Sequence, residues 1–147
     1  MEKYSLTLYS PINSINKQYQ LVKLPNGILC LLISDPSEKT ASCSLTIASG
    51  SFNDPENLPG LAHLCEHMIL AGGSKKYPST TGFTDELSRN NGQRNAYTTG
   101  QETTFYFYMP NANMLREKNN FSEKPPFENL LNIFGSCFEE PLFKKNE

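Results

Sequence analysis

The sequence predicts an α+β chain in which an antiparallel-rich sheet packs on helices. Three observations predict it. Strand patterns come first, the first two split by an Asn26-Gly27 turn signal; helical spacing takes over from about Gly60; and a second strand pair precedes a last helical run. At 147 residues, 37% apolar and 19% charged, the chain is long enough for one real core but not for two large ones.

From Gln18 to Ser34, two apolar runs flank Pro25-Asn26-Gly27. Asn-Gly supports the positive backbone angles of a type I′ turn, so this segment is expected to be a hairpin. A third strand is expected over Ala41 to Ser49, where Cys43, Leu45 and Ile47 alternate with Ser42, Ser44 and Thr46. Gly50 to Pro59 reads as a loop. Pro59-Gly60 then opens a helix of about a dozen residues, which Gly72-Gly73 ends as a glycine cap. Past Lys75 to Pro78, a second helix is expected over Thr81 to Asn91, with Phe83 and Leu87 on one side and Gly92 as its stop. Arg94 to Thr99 and Thr103 to Met109 are rich in Tyr, Phe and Thr and read as strands joined at Gly100-Gln101. Asn111 to Lys124 has no apolar period and reads as a polar loop. Pro126 begins a helix whose Phe127, Leu130, Leu131, Phe134 and Phe138 keep helical spacing until Pro141.

Composition excludes several function classes. A net charge of −2 with no basic run argues against a nucleic-acid partner, and Lys75-Lys76 and Lys144-Lys145 read as solvated pairs. No stretch has the length and hydropathy of a signal peptide or membrane span, so a cytoplasmic protein is expected. Cys30, Cys43, Cys65 and Cys137 form no C-x-x-C pair and read as reduced core residues.

The chemistry concentrates in His63-Leu64-Cys65-Glu66-His67, an H-x-x-E-H pattern that holds the only 2 histidines of the chain. At 3.6 residues per turn, His63 and His67 project from adjacent turns on one side, with Glu66 beside them, so both rings can reach one ion. Leu61, Leu64, Cys65, Met68, Ile69 and Ala71 surround this polar stripe, so the helix is expected to be buried. Buried imidazole and carboxylate groups need partners, and Zn2+ supplies one. The competing reading is two core histidines bonded to backbone beside a solvated Glu66. Cys65 points away from the stripe and reads as packing rather than as a ligand. A zinc site used for folding alone fits poorly, because Glu66 would then be an unpaired carboxylate beside the metal.

The chain resembles the amino-terminal part of the pitrilysin/insulysin-type metallopeptidases, the inverzincins. The residues that carry the resemblance are Leu24-Pro25-Asn26-Gly27, the run from Gly60 to Met68, Lys75-Lys76-Tyr77-Pro78, Asn95-Ala96-Tyr97-Thr98 and Pro141-Leu142-Phe143. Leu61 to Pro78 and Thr99 to Met109 further resemble a fungal branch of the family with roles in axial budding and in trimming a mating-pheromone precursor. The resemblance implies a partial first domain: 1–17 as an amino-terminal extension and 18–147 as an incomplete peptidase domain, with later domains enclosing the substrate. It implies one Zn2+ held by His63 and His67, Glu66 as general base, and a third ligand, a glutamate, from a helix beyond this chain. Glu147 falls too early for that position, and Glu139 and Glu140 read as the exposed end of the last helix. It also implies that Asn95 and Ala96 take an extended peptide by strand addition, against the alternative that their strand merely completes the sheet. For function, a zinc metalloendopeptidase stands against a catalytically incompetent fragment or scaffold module of the same fold.

Overall fold

The computed structural model describes residues 2–4, 16–111 and 125–143. Contacts divide the chain into two compact units, Met1–Glu38 and Lys39–Glu147.

The first unit is a three-stranded antiparallel sheet in the order β1-β2-β3, from β1 (Glu2–Tyr4), β2 (Gln18–Lys23) and β3 (Leu29–Ser34). β1, which lies in the segment 1–17, pairs antiparallel with β2, with Glu2 opposite Lys23 and Tyr4 opposite Leu21. The expected hairpin forms, but not through a type I′ turn. Gly27 N–H donates to Leu24 O at 2.9 Å, which makes Pro25 and Asn26 the central pair, and Gly27 takes φ 90°. Proline holds φ near −65°, so the turn closes as type I with glycine in the left-handed position that follows. Asn26 instead accepts from Ile28 N–H through Oδ1, at 3.3 Å.

Among the described residues the second unit has a sheet in the order β4-β6-β5, with β4 (Thr40–Ile47), β5 (Gln93–Thr98) and β6 (Thr103–Pro110), and the helices α1 (Leu61–Ala71), α2 (Gly82–Arg89) and α3 (Pro126–Glu139). The central strand β6 alternates buried Phe105, Phe107 and Met109 with Tyr106 and Tyr108 toward the other face. On the buried face Phe83 meets Phe107 edge-on at 5.5 Å, and Phe134 lies 5.2 Å from Phe107 and 5.0 Å from Phe138. These rings, with Leu70, Leu87, Leu130, Ile133 and Cys137, form the core. Leu131 is a correction: it shares the apolar count of α3 but stands 39% exposed, while Ile133 and Cys137 take the inward positions.

Other expectations shift in detail. Ile47, expected on the buried face of β4, is 38% exposed, and the loop from Gly50 contains a 3-10 turn at Ser51–Asn53. α2 stops as anticipated, with Gly92 N–H on Leu87 O at 2.8 Å. The polar loop at 112–124 lies outside the described residues. Among the described residues no helix is long and apolar enough to cross a membrane.

α1 is the element that matters for chemistry, and its burial differs from expectation. Only Leu70 is fully buried in it; Leu64 is 53% exposed, and Ala71 is exposed as well. The helix packs along one side only, through Ile69 and Leu70 on the core. Leu61, Cys65 and Ile69 face the sheet across a cavity of about 230 Å³ that Ile47, Phe105 and Glu66 also line. The helix ends where Gly72 passes so close to Leu142 O that any Cβ there would collide, and Leu142 N–H donates to Gly73 O at 3.0 Å. The segment after α3 is thereby fixed against the carboxyl end of α1.

Candidate functional site

Asp54 starts the helix that carries the site. Its Oδ2 accepts from Gly60 N–H at 2.7 Å and its Oδ1 from Ala62 N–H at 2.8 Å. A carboxylate here satisfies an orphan donor of the first turn and complements the positive helix end. Leu64 N–H donates to Gly60 O, so regular helical bonding is already in place one residue beyond His63.

One turn apart on this frame, His63 and His67 turn their Nε2 atoms toward each other at 3.1 Å, with ring centroids 4.7 Å apart and planes inclined by 49°. Both rings are exposed and Glu66 is drawn inward, and one ligand atom from each of the three lies within 4.8 Å of the others. Two imidazole nitrogens on one tetrahedral zinc ion at 2.0–2.1 Å would stand roughly 3.3 Å apart. The observed spacing is close to that, and the donor set of two imidazoles and a carboxylate suits zinc, so the residues present fit the ion. Among the described residues no second cluster of this kind occurs.

Glu66 has a partner that the sequence did not announce. Thr98 Oγ1 donates to Glu66 Oε2 at 2.6 Å. That is the range of a hydroxyl on an ionised carboxylate. The objection to a folding-only zinc site, that Glu66 would be an unpaired carboxylate, is corrected by this bond. The period-two pattern of Asn95-Ala96-Tyr97-Thr98 does place Thr98 on the opposite face to Asn95 and Tyr97. Only the packing of α1 over that face reveals what it touches.

Asn95 and Ala96 lie on β5, at the edge of its sheet. Ala96 N–H does not pair with β6; it donates to Asn95 Oδ1 at 2.9 Å. The outward donor of this edge is therefore covered by the neighbouring side chain, a common way to shield an exposed strand. A peptide adding to the edge must displace the Asn95 amide. Glu139 and Glu140 stand exposed at the end of α3, as the sequence suggested, and Glu140 is engaged by Lys75 Nζ at 3.2 Å.

No disulfide joins the four cysteines; Cys137 is buried and the other three are half-buried. Burial pushes the Cys137 thiol above its ordinary value, and burial likewise lowers the Arg94 guanidinium from its own.

A family model, Insulinase (Peptidase family M16), matches residues 29–147. The chain belongs to that family. It is 50% identical over 140 residues to the Saccharomyces cerevisiae protein AXL1, covering 95% of this chain and 11% of that one. It is 38% identical over 130 residues to the A-factor-processing enzyme of the same yeast, covering 88% of this chain and 11% of that one. A crystal structure of pitrilysin superposes with a TM-score of 0.75 at 36% identity, covering 88% of this chain and 12% of that chain. The expected α+β, pitrilysin-like partial domain is thus the fold observed. The chain spans about a tenth of the length of these relatives.

Proposed function

We propose that this chain is the amino-terminal part of a zinc metalloendopeptidase, with residues 18–147 an incomplete first domain. The observation that carries the reading is the approach of His63 Nε2 and His67 Nε2 to 3.1 Å, with Glu66 beside them, in a chain of the M16 family. His63 and His67 would hold one zinc ion, and a third ligand, a glutamate, would come from beyond these residues. When bound, zinc supplies Lewis acidity and lowers the pKa of a bound water to roughly 7.

The remaining work belongs to the chain's own groups. Glu66 accepts a proton from the attacking water and passes it to the leaving amine, as a carbon–oxygen bond forms and the peptide carbon–nitrogen bond breaks. General acid–base assistance of this kind is worth about 10²- to 10⁴-fold in rate. The outer edge of β5 receives an extended peptide through Asn95 and Ala96, with backbone pairing giving affinity and side chains a secondary preference. The likeness to the A-factor-processing enzyme supports a processing role for the whole protein; a mating-pheromone precursor as substrate and a role in axial budding rest on the fungal-branch resemblance of Leu61 to Pro78 and Thr99 to Met109.

The test is made on a chain extended to the length of its relatives. One zinc per chain, measured by elemental analysis, with cleavage of an unstructured peptide that a chelator stops and added zinc restores, is the expected outcome. A protein that binds no zinc, or that holds zinc tightly but cleaves nothing, would instead identify a scaffold module of the same fold.

A further inference from the structure

Glu66 is held by a single side chain among the described residues, and its geometry is specific. A threonine hydroxyl carries one proton. Thr98 Oγ1 lies 2.6 Å from Glu66 Oε2 and 3.4 Å from Thr103 Oγ1. The Thr103 proton is committed elsewhere, to Ser49 O at 2.9 Å. Thr103 Oγ1 is therefore at most a second acceptor for Thr98, and the much shorter contact, 2.6 against 3.4 Å, takes the Thr98 proton to the carboxylate. Its backbone is fixed by pairing opposite Thr103 in the β5–β6 register, and a β-branched side chain has few χ1 states. A carboxylate on a partly exposed helix is thus tied to the sheet across 32 residues of sequence.

We propose that Thr98 is a positioning residue for Glu66: its hydroxyl holds Oε2 and so fixes the orientation of the carboxylate that moves the proton. This rests on the functional reading above. Because Thr98 shares β5 with Asn95 and Ala96, one strand both receives the peptide and orients the base.

The experiment uses the full-length, zinc-loaded protein with Thr98→Val, which keeps shape and loses the hydroxyl, and Thr98→Ser, which keeps the hydroxyl. The expected result is a kcat about tenfold lower in Thr98→Val, the scale of losing an outer partner of a site, with KM and zinc content unchanged and most of the loss recovered in Thr98→Ser. A second reading needs no turnover: in zinc-free protein carrying a ¹³C label at the Glu66 carboxyl, the signal moves in Thr98→Val and stays at the parent position in Thr98→Ser. Unchanged kcat in the valine variant, a serine variant as impaired as the valine one, or a carboxyl signal indifferent to the hydroxyl each overturns the proposal. Glu66→Gln run alongside separates the two claims. If it abolishes turnover while Thr98→Val does not, the positioning role fails alone; if Glu66→Gln leaves turnover intact, the functional reading fails and takes the proposal with it.

Discussion

Asp54 gives the sharpest structural prediction, because one carboxylate anchors the start of the helix that carries both histidines. Its two oxygens accept at 2.7 and 2.8 Å from Gly60 and Ala62 N–H. A side-chain cap is worth ~0.5–2 kcal/mol, and a bond to a charged group lies at the upper end of hydrogen-bond values. Asp54 is half-buried, so solvent weakens both bonds, and about 2 kcal/mol is the expected cost of Asp54→Ala. That corresponds to roughly 30-fold more frequent opening of the first turn, at 1.4 kcal/mol per factor of ten. Asp54→Asn keeps one acceptor oxygen and should lose about half that free energy, roughly fivefold in opening. Amide hydrogen exchange followed by mass spectrometry on the peptide spanning Leu61 to Ala71 reads this directly, without requiring a two-state global transition. Zinc affinity should fall alongside, since His63 sits in the turn that opens. Exchange in Asp54→Ala within about twofold of the parent would refute the reasoning, and would show that the packed side of α1 alone holds its start.

Three further outcomes follow from the same geometry. Ala96→Pro should leave the β5–β6 ladder intact, because the lost N–H is bonded to Asn95 Oδ1 and not to β6. Measured on a Glu66→Gln background, it should weaken binding of an extended peptide without releasing zinc; equal affinity would make this strand scaffold. Residues 1–147 alone should bind zinc weakly by calorimetry and cleave nothing, since two histidines leave the ion short of protein ligands; tight stoichiometric binding with turnover would contradict this. Burial holds the Cys137 thiol neutral, so alkylation at pH 7 to 8 should label it only when the chain unfolds, and rapid labelling of native protein would contradict its place in the core.

What the sequence made legible was what has a local period. The spacing of His63, Glu66 and His67 placed three donors on one face, and the Tyr, Phe and Thr of Thr103 to Met109 marked a strand. The misreadings arose where two local signals compete or where a partner is distant. Asn26-Gly27 favours one turn, but Pro25 has no N–H to close the strand pair before it and its φ suits the first central position of a type I turn, which decides for another. An apolar circumference on α1 suggested burial, yet only Leu70 is fully buried and Ile69 partly so against the core, while Leu64 stands 53% exposed. Thr98 on Glu66 and Asp54 on Ala62 are pairings between elements. Neither has a spacing rule, because the packing of α1 on the sheet and the loop before it creates them.

The difference between Glu66→Gln and His63→Ala in the full-length protein separates the residue that moves the proton from one that holds the metal. Zinc content and peptide turnover are measured on the same preparations. The amide keeps the size of the carboxyl and cannot accept a proton, so Glu66→Gln should retain one zinc per chain and lose about 10²-fold or more of turnover. His63→Ala should lose both together. Zinc loss in Glu66→Gln as severe as in His63→Ala would make Glu66 a ligand, and turnover that survives in Glu66→Gln would remove it from the chemistry.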